Sequence, residues 1–344
     1  GNIDNEIENV PVKPNYRTNI VGNLITSTSD YTITLEDKWD VPVDEVEIWD
    51  GKFISAPSKN KQGQYEVTKP SELAWLAAAV NGTIETRATE PAKTFKGETF
   101  VLTENIDLGN FPWTPIGLTG DVDGFQGTFD GNGKTISNLY VDLTAEPKYQ
   151  SAGLFGSARV GEIKNFTVKN AVVKNITTGS SSGASSCGTA VVVGSAQTQT
   201  GHKITNVHVI NATVEGNRYC AAIAGYYDGA ISDCTVDNVT IKVSPDKLSG
   251  TYDNGDKAGA IIGLLCEGGY TFSGNKATNI TIFAFRDLGG LIGCAHTSTI
   301  TRNEVDNINL IIDKTYSYGK YENHNAGPIL GSDRQGQSTL ADNI

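Results

Sequence analysis

A short cluster of small and apolar residues closing on glycine recurs along the chain, and its spacing limits the possible folds more than any other feature. It reads GLFG ending at Gly156, AVVVG at Gly194, AAIAG at Gly225, GAIIG at Gly263, GGLIG at Gly293 and GPILG at Gly331. The closing glycines lie 38, 31, 38, 30 and 38 residues apart. Each of the first five clusters is followed by a phrase of common design. These are IKNFTVKNAVV from Ile163, ITNVHVINATV from Ile204, ISDCTVDNVTI from Ile231, FSGNKATNITI from Phe272 and ITRNEVDNINL from Ile300.

Aligned on their first residue, the phrases give columns with physical meaning. The first column is Ile163, Ile204, Ile231, Phe272 and Ile300, the sixth is Val168, Val209, Val236, Ala277 and Val305, and the eleventh is Val173, Val214, Ile241, Ile282 and Leu310. The eighth is Asn170, Asn211, Asn238, Asn279 and Asn307 without exception. Asparagine tolerates the left-handed backbone needed where a strand turns a corner, and its amide can bond the equivalent amide in the next layer. One repeat cannot bury its apolar face alone, whereas stacked repeats share a continuous core. The expected fold is therefore all-β, a right-handed parallel β-helix (solenoid). The N-x-T triplets on this column, such as Asn211 to Thr213, look like glycosylation acceptors, but the ladder accounts for them without glycans.

Ahead of the repeats, Leu73, Leu76, Ala77 and Val80 fall at helical spacing, with Pro70 at the start and Gly82 at the end. This predicts an amphipathic capping helix near 70–81 that covers the first layer. The expected organisation is a short N-terminal β arm plus linker over 1–62 and the solenoid with its helix over 63–344.

The phrases ENIDL from Glu104, WTPIG from Trp113 and FQGTFDGNGKTISNL from Phe125 resemble the opening coils of GLUG-motif (Gly-Leu-x-Gly repeat) proteins. With the repeats, the resemblance covers about residues 65–331. It implies a bacterial secreted or cell-surface protein, often an adhesin. At the front, NYRTNIVGNLITSTSDY from Asn15, followed by TITLEDKW, is similar to a segment near the end of the sandwich domain of fimbrillin-like proteins of Bacteroides-type bacteria. That similarity implies an extracellular setting, with a lipid anchor on a removed N-terminal segment; the chain opens on Gly1 and holds no methionine, which fits processing or trimming.

The formal charge is −12 and no Lys/Arg cluster occurs, so a nucleic-acid groove is not expected. No apolar run is long enough to span a bilayer, so direct membrane insertion is not expected either. The five cysteines, Cys187, Cys220, Cys234, Cys266 and Cys294, contain no C-x-x-C pair, and buried unpaired thiols are the expectation. Asp121, Asp123, Asp130 and Asn132 echo part of a calcium loop but lack its closing Glu, so the run reads as a turn and no metal or cofactor is assigned.

Parallel β-helices include polysaccharide lyases and glycosidases, which need paired carboxylates or a base beside a cation. No acidic column stacks here. The column of Asp233 is otherwise Asn165, Asn206, Gly274 and Arg302, and His202, His208, His296 and His324 fall in unrelated registers. A non-enzymatic binding protein is therefore expected, with a polysaccharide-active enzyme and a passive stalk as the alternatives.

Long and short repeats alternate, and the extra residues fall in 174–189, 244–258 and 313–326, which places them on one side of a solenoid. The ligand-binding residues expected there are Tyr252, Asp253, Asp256, Tyr316, Tyr318, Tyr321 and His324, joined by Arg286 and Asp287 from the short repeat between. Tyrosines suit sugar rings or a protein surface. The partner class is thus carbohydrate or protein on a cell or matrix surface.

Overall fold

The computed structural model describes residues 17–22, 31–36, 47–83, 94–118, 124–145, 151–159, 161–176, 187–196, 202–244, 255–266, 268–313 and 324–344. The chain divides into two compact units, Gly1–Val46 and Glu47–Ile344. In the first, Arg17–Gly22 and Tyr31–Glu36 pair antiparallel, with Arg17 opposite Glu36 and Gly22 opposite Tyr31. The division falls ahead of the boundary expected at 62/63. Residues 47–62 join the second unit because Trp49 is buried edge-on against Trp113 at 5.5 Å and Ser58–Lys59 pairs with Tyr65–Glu66.

Helix α1 runs Pro70–Val80, with Pro70 in its first turn and Gly82 just past its end at φ 68°. It differs from the expected amphipathic helix in being buried all round: only Trp75 and Ala78 are half-buried. The reason is a second cover. Leu73, Leu76, Ala77 and Val80 pack into the core, while Ser55 bonds Ser71 through backbone (3.1 Å) and hydroxyl (2.8 Å) on another side. The buried Glu72 carboxylate accepts from the Thr68 N–H at 2.7 Å and its hydroxyl at 2.9 Å, which satisfies it at the helix start.

Beyond Ser58–Lys59, the strand pairings of the second unit are parallel, and the fold is β-solenoid-like with this one helix among the described residues. From Thr189 on, the repeats contribute strands to all three sheets, and the later ones divide their first-sheet arm into a short and a long strand. Lys203–Gly216 lies in the first sheet, Arg218–Ala221 in the second and Ala224–Tyr227 in the third, and Ala230–Ser232 returns to the first. Neighbours in every sheet come from the preceding and following repeats. The first column stacks in unbroken register: Phe100, Phe129, Ile163, Ile204, Ile231, Phe272 and Ile300, each at most 1% exposed. Burying each such side chain contributes about 1.5–3 kcal/mol.

The eighth column turns the corner as its residue type requires. Asn170, Asn211, Asn238, Asn279 and Asn307 have φ of 56°, 56°, 54°, 56° and 53°. Their exposed amides form a ladder: Asn211 Nδ2 donates to Asn170 Oδ1 at 3.3 Å, Asn238 to Asn211 at 2.8 Å and Asn307 to Asn279 at 2.6 Å. The column that carries Asp233 is a second left-handed one. Asn165, Asn206, Asp233, Gly274 and Arg302 have φ of 59°, 54°, 57°, 69° and 56°. The closing glycines have a different duty. A Cβ on Gly263 would lie 2.6 Å from the Tyr219 carbonyl carbon, and one on Gly293 2.6 Å from the Ala258 nitrogen. The third sheet thus lies against the backbone of the second at a distance only glycine permits.

Candidate functional site

The long connections leave one corner of the fold. Asn175, Gly216 and Val243 are register neighbours at the ends of first-sheet strands, and Ala284 pairs with Ile312 in the same way. Short repeats pass to the second sheet through a single residue, Asn217 or Phe285. Long repeats insert 176–188, 244–255 and 313–325 at the equivalent place.

The roots of these connections are fixed by hydrogen bonds. Asn217 donates from Nδ2 to the Ser244 carbonyl at 2.9 Å, and its own carbonyl accepts from Gly255 N–H at 2.7 Å. The Gly255 carbonyl then accepts from Phe285 N–H at 2.8 Å. On the next long connection, His324 Nδ1 bonds the Phe285 carbonyl at 2.8 Å and its ring stands edge-on to Phe285 at 4.9 Å.

Beside the roots lies a buried ionic cluster. Arg218, Asp256 and Arg286 are register neighbours on three successive layers of the second sheet. Asp256 is fully buried; its Oδ2 accepts from Lys257 Nζ and from Arg286 Nη2 at 3.0 Å, while Arg218 Nε lies 3.5 Å from Oδ1. Lys257 is also fully buried, and the Arg218 guanidinium stacks over Tyr219 at 4.3 Å. Three cations on one carboxylate hold the chain rigidly where the 244–255 connection rejoins the sheet. A buried ion group of this kind fixes geometry more than it adds stability.

This arrangement corrects part of the sequence reading. Asp256, expected on a ligand-facing connection, sits on the strand Asp256–Gly259 at 0% exposure, bonded within the ionic cluster. Asp287 is buried and accepts from Asn325 Nδ2 at 2.9 Å, and Arg286 is 14% exposed and bonded to Asp256. Asp256 opens a strand buried along its whole length, so the connection ends at Gly255, short of the 244–258 expected from spacing. His324 is half-buried at a connection root. Tyr252, Asp253, Tyr316, Tyr318 and Tyr321 lie outside the described residues.

One further column was missed by sequence. Asp228, Cys266, His296 and Arg334 follow Tyr227, Leu265, Ala295 and Asp333, which are register neighbours, and backbone bonds continue the ladder through them. The Tyr226 hydroxyl donates to Cys266 Sγ at 2.9 Å. The residue types vary from layer to layer, so no repeat signal marks the column. None of the five cysteines is joined in a disulfide, and burial pushes Cys220 and Cys234 up to about 12.

Asp130 Oδ1 accepts from Asn132 N–H at 2.9 Å and Asn165 Nδ2 at 3.1 Å, the bonding of a turn, while Asp121 and Asp123 lie outside the described residues. Among the described residues, no group of three His, Cys, Asp or Glu is placed to hold a metal. No helix among them is long and apolar enough to cross a membrane. No protein-family model matches the chain, and no curated protein or solved structure matches it.

Proposed function

We propose that this chain is a secreted or cell-surface, adhesin-like protein of the GLUG-repeat type that binds carbohydrate or protein without catalysis. In this reading the second unit is a right-handed parallel β-helix, the hand favoured for parallel crossover connections by strand twist. The observation that carries the binding role is the shared corner: three long connections leave alternate layers there, on roots fixed by Asn217, Asp256 and His324. Recognition surfaces are built from loops on a rigid scaffold, and equal, plain layers would suffice for a stalk.

A glycan and matrix-protein array probed with the purified chain tests this. Binding should appear and should vanish when 244–255 is replaced by one residue, as in the short repeats, or when Tyr252, Tyr316, Tyr318 and Tyr321 become Ala. The melting temperature should stay within a few degrees. Product release from a polysaccharide, or binding that survives both variants, would reject the reading.

A further inference from the structure

The last layer differs from those beneath it. Inward residues of the inner layers are fully covered, whereas Val305, Ile308, Leu310 and Ile312 are only half-buried. Among the described residues, Glu304–Ile312 pairs along one side only, with Lys276–Ala284. Part of its other side is occupied. Ile344 accepts from Val305 N–H at 2.8 Å and donates to the Asn303 carbonyl at 2.8 Å, which covers the arm bearing Glu304. Among the described residues, the backbone edge left without a strand partner is therefore Ile308–Ile312, with the sequence INLII and no charge.

The outer face changes at the same place. One outward column reads Asp142, Lys174, Glu215, Lys242, Phe283, Ile311 in continuous register. Charges of alternating sign run up four layers, and the last two positions are apolar. Charge on an edge and its flanks is the usual protection against strand pairing. Here it stops where the edge opens.

The opposite end of this unit is protected. Its terminal strand, Ser58–Lys59, is two residues long, and Lys59 pairs with Glu98 at 2.8 Å. Among the described residues of this unit, a head-to-tail contact between copies would thus meet only this short, charged strand, whereas a two-fold contact uses the same edge twice. Two-fold pairing is antiparallel. It sets INLII against INLII and keeps Glu304 and Asp306 of the two copies apart, whereas like charges directly opposite would be destabilising.

We propose that Ile308–Ile312 is a self-association edge, through which two copies of this chain pair antiparallel about a two-fold axis, with Phe283 and Ile311 buried at the contact. Each copy carries −12, so the dimer works against long-range repulsion. Raising salt should screen that repulsion and tighten the dimer.

Sedimentation of the purified chain over micromolar to hundred-micromolar concentration tests the proposal. The expected result is a monomer–dimer equilibrium that shifts toward dimer with salt. Ile311→Lys restores a charge to its column, and Asn309→Lys changes a side chain already exposed, so neither removes core. Either should weaken the dimer at least ~10-fold, the change produced by about 1.4 kcal/mol. Thr278→Lys, on the outward face of the other arm, should leave it unchanged. A monomer at every concentration and salt, a dimer indifferent to both edge variants, or open-ended oligomers would overturn the proposal.

Discussion

Asn279 donates from Nδ2 to Asp237 Oδ1 at 2.9 Å and not to Asn238, the ladder residue of the layer below. The five-residue asparagine column is therefore two shorter ladders, 170–211–238 and 279–307, joined by a neighbour's carboxylate. The left-handed φ persists through the break, so backbone conformation and amide pairing are separable duties of this column.

That separation can be measured at Asn211, which both donates and accepts in the ladder. Asn211→Gly keeps the corner and loses the amide bonds. Asn211→Ala loses both, and should cost about 1–2 kcal/mol more than glycine, the penalty of a left-handed residue bearing Cβ. Urea unfolding of the three proteins should rank Asn above Gly above Ala. An alanine variant as stable as the glycine variant would remove the conformational explanation.

Among the described residues, Asp256 is the one acid that meets three buried or nearly buried cations. Asp256→Asn leaves Lys257 without its counter-charge at 0% exposure. The expected loss is about 3–5 kcal/mol, as for other buried pairs with one partner removed. Combining it with Lys257→Met should recover part of that loss. No recovery in the double variant would mean that the cluster does not act as an ion pair.

His202 is buried, its Nδ1 is 3.0 Å from the Tyr227 hydroxyl, and burial lowers it from 6.5 to about 4. The unfolded chain takes up this proton at higher pH than the folded one. Its contribution is therefore full above pH 6.5 and is lost as pH falls toward 4, a loss of about 3 kcal/mol from a shift of this size. His202→Gln keeps a polar partner for Tyr227 and should flatten that part of the stability profile. An unchanged slope between pH 6.5 and 4 would locate the acid sensitivity elsewhere.

Thiol labelling should separate the cysteines by burial. Cys187 and Cys266 are half-buried, whereas Cys220, Cys234 and Cys294 are buried and pushed up to about 12, 12 and 11. The native protein should label first at Cys187 and Cys266, and the denatured, unreduced protein should titrate five thiols. A count below five without adventitious oxidation, or equal native rates, would contradict the buried positions.

Much of the second unit was legible in the sequence because each layer poses the same local problem. The first-column apolar residues must face the same core, the eighth-column asparagines must turn the same corner, and the closing glycines must let two backbones approach. Repetition made these needs visible in Ile163 to Ile300 and Asn170 to Asn307 without any knowledge of distant contacts. The left-handed duty of the Asp233 column is not visible in the same way, because Asn, Asp, Gly and Arg all serve there.

Only the tertiary structure decided which polar residues are spent inside. Asn275 and Asn303 continue a column that is Phe166 and Val207 lower down, yet both are buried, with Asn275 Nδ2 donating to Asn303 Oδ1 at 3.1 Å. Asp256, expected on a ligand-facing loop, is enclosed by Lys257 and by arginines from the layers on either side. Local sequence specifies a strand, a corner or a close approach. Whether a charge or an amide on it meets water or a partner depends on side chains one layer away, which come from segments that become neighbours only when the repeats stack.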